Sequence, residues 1–126
     1  MNFIGAIAAL TAFFSIWLGH VAVRKIEFVS PTIWFPSTVF ATSGLTLEIL
    51  SLFSIDHSLA TVFGITGITL LWDAFELTRQ QKRIIKGHAP ANPNNPRHEK
   101  ILAEHSSATT LDMLKREPIG NPIHSK

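Results

Sequence analysis

The 126-residue chain contains no cysteine and no tyrosine, and only 16% of its residues are charged. Without cysteine it can form no disulfide, thiolate zinc site or iron–sulfur ligation, and it has no thiol nucleophile. Scarce charge and a positive mean hydropathy of +0.24 exclude a disordered chain or a strongly basic nucleic-acid binder. Also missing are a phosphate-binding glycine loop, Ser-His-Asp logic, and the aromatic–basic alternation that binds single strands. His98-Glu99 and Glu104-His105 look like pieces of a metal site, but the His-Glu-x-x-His pattern needs histidine at position 102, where Leu102 stands. The expectation is a non-enzyme with no cofactor, no metal and no nucleic-acid partner.

What is present is unevenly distributed. Residues 1–78 carry two basic and five acidic side chains, a balance of −3, whereas residues 79–126 carry nine basic and four acidic, a balance of +5. The chain reads as an apolar body joined to a basic, polar tail.

The body divides into three apolar segments, and the predicted fold is all-α, an integral membrane three-helix bundle with an extended cytoplasmic tail. Residues 3–23 contain one ionisable side chain, His20, and a helix of that length reaches about 31 Å, the thickness of bilayer hydrocarbon. No basic residue precedes the run, unlike a signal peptide. Residues 33–55 are interrupted only by Glu48, and Pro36 falls in the first turn, where a missing N–H costs little. Residues 58–78 form the third segment, with Asp73 and Glu76 near its end. Only Asp56 and His57 separate the last two, so they must form an antiparallel hairpin.

Basic residues orient the bundle. Arg24 and Lys25 follow the first segment, none lie between the second and third, and Arg79, Lys82, Arg83 and Lys86 follow the third. An outside N-terminus and a cytoplasmic C-terminus in a bacterial inner membrane satisfy this pattern, with Trp34 and Trp72 at the cytoplasmic boundary.

Helices in lipid associate through close packing of small residues rather than through hydrophobicity. The first segment presents Gly5, Ala8, Ala12, Ser15, Gly19 and Ala22 at 3–4 spacing. The second presents Ser37, Ala41, Gly44, Glu48 and Ser51, and the third Ala60, Gly64, Gly67, Leu71, Ala74 and Thr78. These stripes either close the bundle on itself or leave a face for a larger membrane partner.

Three intramembrane polar residues stand out. Glu48, on the small-residue seam, should face Ala8 or Ala12 and Gly64 or Gly67, and an intramembrane carboxyl is by default a functional candidate. His20 and Asp73 both fall just inside the cytoplasmic boundary, where they could hydrogen-bond and cap the bundle. Haem ligation would need a second histidine at the depth of His20, and His57 lies at the other end. Arg24, Lys25, Glu27 and the basic cluster from Arg79 to Lys86 are expected to snorkel to headgroups, with Glu76 pairing to Arg79 and Gln80.

After the body of residues 1–87, residues 88–96 form a Pro/Asn-rich linker that cannot be helical. The tail, residues 97–126, has two short helical patterns, at 97–105 and 110–117, which should lie on the membrane or on a partner because neither can fold alone.

Together these residues resemble a small bacterial membrane-protein family known as domain of unknown function 4491. The likeness rests on His20, Lys25, Glu27 and Phe28, and on Leu71, Trp72, Glu76, Leu77, Gln80, Lys82, Arg83, Lys86, Gly87, Pro90, Asn92 and Pro93. It covers residues 1 to about 93 and implies a three-span protein, with residues 94–126 an extension; Val21 stands where many relatives have proline. The resemblance implies no reaction, but its positions fall at the end where Arg24 also lies, and with Lys25, Glu27, Trp72, Glu76, Lys82, Arg83 and Lys86 this gives a candidate cytoplasmic contact surface. The function expected is an accessory subunit of a larger membrane complex, such as an electron-transfer assembly. The alternatives are a homo-oligomeric transporter or ion conductor using Glu48, His20 and Asp73, and a contributor to a haem or quinone site.

Overall fold

In the computed structural model, which describes residues 1–113, the chain forms four α-helices: α1 (Ile4–Val29), α2 (Trp34–Phe53), α3 (His57–Ile85) and α4 (Pro96–Glu104). No strand occurs among the described residues. Three long helices stand where three apolar segments were read, but α1 and α3 continue past their apolar parts into the charged residues by two turns or so. Arg24, Lys25 and Glu27 are helical, as is the cluster from Arg79 to Arg83.

The local chemistry accounts for most helix ends. Asp56 is the N-cap of α3, its carboxylate accepting from the Leu59 N–H at 2.8 Å. The other end of α3 closes in a Schellman turn: the N–H of Gly87 donates to Ile84 O and that of His88 to Arg83 O. This turn needs a left-handed residue, and Gly87 has φ +75°. In α4, Asn95 caps the Arg97 N–H and Pro96 occupies the first turn, where its lacking N–H is no loss.

The central helix is α3, and α1 and α2 each pack along it without an extended interface of their own. The α2–α3 hairpin is antiparallel and very close. A Cβ on Gly44 would lie 2.8 Å from Gly67 O, and a Cβ on Gly67 would lie 3.0 Å from Gly44 O, so the two backbones touch. On either side of this crossing α2 hydroxyls reach α3 carbonyls, Ser51 Oγ to Ala60 O at 2.7 Å and Ser37 Oγ to Ala74 O at 3.2 Å. The α1–α3 pair runs parallel, and Gly19 forms a notch that the Asp73 carboxylate fills.

Little apolar surface is buried by this packing. Trp17 is 56% exposed, Leu52 82% and Phe53 81%. Two helices, α1 and α3, are long and apolar enough to cross a membrane, and only 11% of the apolar stretch of each is buried in the chain itself. The third long helix, α2, carries six hydroxyl residues and Glu48.

The tail differs from the expected extended tether. Residues 88–95 are irregular but packed, with Ala89, Ala91 and Asn95 buried, and Pro96, placed in the expected linker, is instead the first residue of α4. Together with Ile84 and Ile101 the two alanines make a small second core, against which Ile85, Leu102 and Ala108 also pack. The chain then returns beside α3, where Ser107 Oγ donates to Ile85 O at 2.6 Å and the Ala91 N–H to Thr109 O at 2.8 Å. Thus α4 lies on the body of its own chain. Of the second short helix expected at 110–117, residues 110–113 are irregular and the remainder lies outside the described residues.

Candidate functional site: a polar-floored groove and a clamped helix end

Gly19, Val23 and Glu27 are the buried residues of α1, one every fourth position. They form a single stripe that faces the stripe of Asp73, Glu76, Leu77, Gln80 and Ile84 on α3. The stripe grows polar along its length, so the contact begins in apolar helix and ends in a hydrogen-bonded network.

The network centres on Glu27, 1% exposed. Its Oε1 accepts from Arg97 at 2.7 Å and lies 3.1 Å from His98 Nε2. His98 is fully buried, and its Nδ1 accepts the Asn92 N–H at 2.8 Å. Because Nδ1 is the acceptor, Nε2 carries the proton and donates to Glu27. The same tail segment caps the end of α1. Arg97 donates to Glu27 O at 2.6 Å, Asn92 and Asn95 side-chain amides both donate to Phe28 O at 3.1 Å, and Asn95 also reaches Ser30 O at 2.9 Å. A helix C-terminus exposes unpaired carbonyls and partial negative charge, so a guanidinium and two amides are well matched to it. Glu27, expected to snorkel outward, is instead held inside, because an arginine 70 residues later in the chain supplies its counter-charge.

Glu76 is similarly inward, 4% exposed, and pairs with Arg83 at 3.2 Å and with Arg79 at 3.7 Å. The Gln80 contact expected for Glu76 goes to Arg83 instead, whose guanidinium donates to Gln80 Oε1 at 3.2 Å. Arg79 stacks 5.8 Å from the ring of Trp72. Arg24, Lys25, Lys82 and Lys86 remain exposed.

The polar candidates of the apolar segments separate. Glu48 is half-buried and faces α3, its Oε1 at 2.8 Å from where a Gly67 Cβ would stand, and α2 has no extended interface with α1. Of the seam residues, Gly44, Gly64 and Gly67 meet a neighbouring helix and Gly5 meets nothing within 4 Å. Ala8, Ala12, Ser15 and Ala41 are half-buried. His20 and Asp73 are electrostatic neighbours, as their depth implied, with His20 exposed and Asp73 4% exposed, but no hydrogen bond joins them.

Above Asp73, the gap between α1 and α2 is a groove of about 510 Å³. Leu10, Phe14, Leu18 and Phe40 form its sides, and Thr66, Thr69 and Asp73 of α3 its floor. Sequence reasoning singled out Asp73 and, on the small-residue stripe of α1, Ser15, Gly19 and Ala22 of this lining, but not the Leu and Phe residues of its sides. That α1 and α2 splay apart over α3 follows from two different contacts, the Gly44–Gly67 crossing on one side and the Gly19 notch on the other.

A family model, "Domain of unknown function (DUF4491)", matches residues 2–95. It therefore ends at Asn95, the N-cap of α4 and one of the residues that closes over α1. No curated protein and no solved structure matches the chain.

Proposed function

The chain belongs to the DUF4491 family, and on that premise we propose that it is a membrane-embedded accessory subunit whose groove between α1 and α2 receives a transmembrane helix of a larger complex. The observation that carries the proposal is Asp73. A carboxyl group in the apolar part of a membrane protein is costly unless it is paired, and such residues face a bundle interior or a partner. Asp73 sits on the floor of an apolar groove, and it accepts no hydrogen bond among the described residues. A partner helix bearing a hydrogen-bond donor at that depth would bury Phe14 and Phe40 and satisfy Asp73 together.

Three crossings fit the chemistry of α2 as well. Its exposed threonines, Thr38, Thr42 and Thr46, each donate to the carbonyl four residues earlier at 2.8–2.9 Å, so their hydroxyls need no water. With three spans, the positive-inside rule places the clamped end and the tail on the cytoplasmic side.

Gentle detergent extraction followed by blue-native electrophoresis tests the proposal. The wild-type chain should migrate within a larger assembly and Asp73→Ala should shift it to a smaller species. Migration of both as the free chain would count against it. A second reading is favoured by the shape of the groove, which is apolar with Asp73 near one end: a lipophilic ligand such as a quinone. Organic extraction of the purified protein distinguishes it, since a stoichiometric quinone lost in Asp73→Ala would support the ligand over the helix.

A further inference from the structure

Three clefts adjoin along the seam between α1 and α3. One of about 320 Å³ is lined by Ile16 and His20 of α1 and by Ile68, Trp72 and Asp73 of α3. The next, of about 300 Å³, shares His20 with it and adds Arg24, Glu76 and Arg83. The last, of about 430 Å³, shares Arg24, Gln80 and Arg83 with the second and reaches Lys25, Phe28 and His88. The shared residues join the three into one furrow. No α2 residue lines it, so it lies on the open side of the α1–α3 pair, apart from the groove.

The furrow changes character along its length. Ile16, Ile68 and Trp72, at its first end, are each more than half exposed, so it begins between open apolar walls. At the other end Arg24, Lys25 and Arg83 converge from two helices, and His88 joins them from the turn after α3. Carboxylates line this part too, but Glu76 is held by Arg83 at 3.2 Å and Arg79 at 3.7 Å, and Glu27 by Arg97 at 2.7 Å. Asp112 stands at the edge contributed by the tail. Arg24 and Lys25 are exposed and enter no ion pair among the described residues. One channel thus runs from apolar walls to a cluster of cations, two of them without a carboxylate of their own.

We propose that this furrow binds an anionic phospholipid, its phosphate held by Arg24 and Lys25 with Arg83 beside them, and one acyl chain laid against Ile16, Ile68 and Trp72. The site rests on the membrane-embedded reading above, because its apolar end must face lipid, but it does not require a partner helix in the groove. Charge-assisted hydrogen bonds from arginine and lysine suit a phosphodiester. A zwitterionic lipid carries its own cation, which would stand beside Arg24 and Lys25 and weaken the attraction. Lys82 and Lys86 lie at the same end of α3 but line none of the three clefts. Every basic residue near the surface draws anionic lipid, so these two lysines separate a built site from the general field.

Native mass spectrometry of the full chain, purified in mild detergent and mixed with one lipid at a time, tests the proposal. Phosphatidylglycerol should be retained about tenfold better than phosphatidylcholine, and Arg24→Gln with Lys25→Gln should lower its retention by about the same factor. Lys82→Gln with Lys86→Gln removes as much charge from the same end and should leave retention within about twofold. Equal retention of the two lipids, indifference to the Arg24 and Lys25 substitutions, or an equal loss from both pairs would each overturn the site. Glycerophosphoglycerol, the headgroup without acyl chains, should fail to displace the lipid at equal concentration; full displacement would assign the furrow to a soluble phosphodiester and overturn the lipid. Release of the chain from membranes by alkaline carbonate, without detergent, would defeat the membrane-embedded reading. Absence of lipid preference in a chain that needs detergent for extraction would defeat this inference alone.

Discussion

Gly19 and Glu27 lie two turns apart on one stripe of α1 and do opposite things there. Gly19 is small so that the Asp73 carboxylate can enter the helix surface, and any Cβ at this position overlaps it. Gly19→Val should therefore push α1 from α3 and destabilise the detergent-solubilised protein by about 1–3 kcal/mol, the usual cost of forced overpacking. Gly5→Val is the control: nothing stands within 4 Å of Gly5, and thermal unfolding should move by no more than about 0.5 kcal/mol. Glu27 is large and charged, yet buried, because Arg97 and His98 come to it. Arg97→Ala would strip the carboxylate of its cation and expose the α1 carbonyls it caps. The cost expected for breaking a buried pair is about 3–5 kcal/mol, which limited proteolysis should register as cleavage between α4 and Thr110 that the wild-type chain resists. The stripe was partly legible: Gly19 was assigned to a packing seam from its spacing, and counting two further turns of four would have placed Glu27 on it. Its partner was not legible, because Arg97 lies in a segment whose local pattern shows only a short, charged helix.

Among the elements, the α2–α3 hairpin was the more readable. Two residues between apolar runs forced it, and the glycines at 44, 64 and 67 marked the contact before any geometry was known. What the glycine spacing could not give was that α2 packs mainly on α3, with no extended interface to α1. That choice is made by the Gly44–Gly67 crossing, where backbone meets backbone and neither side can yield. Gly67→Ala would place a methyl 2.8 Å from Glu48 Oε1 and 3.0 Å from Gly44 O. Glu48 can rotate away but the carbonyl cannot, so hairpin separation with a loss of about 1–3 kcal/mol is expected, measurable as lower thermal stability in detergent. The helix ends were readable in kind, since Asp56, Gly87 and the Asn95-Pro96 pair are ordinary stop and start signals. The tail was misjudged for a physical reason. Three prolines do forbid a helix, but they also leave a chain that costs less entropy to dock, and Asn92 and Asn95 supply the donors that a bare helix end wants.

For the whole molecule, helices splayed over a central one leave apolar surface that the chain itself does not cover, and a carboxyl group on the groove floor with no hydrogen bond among the described residues. The DUF4491 match ends where the clamp begins to close, at Asn95, while Arg97 and His98 complete it from beyond. Apolar body and clamped end are thus linked through one α1 stripe, from the Asp73 notch to Glu27. A partner helix seated in the groove would press on the same stripe that holds the tail. The most direct test places a photo-crosslinking amino acid at Phe14, on the groove wall, or at Leu52, on the far end of α2, in the full chain within intact membranes. The expected result is a single protein adduct of defined mass from position 14, absent from position 52 and lost when Asp73 is replaced by alanine. Adducts to lipid alone at both positions would contradict a groove built to receive a partner.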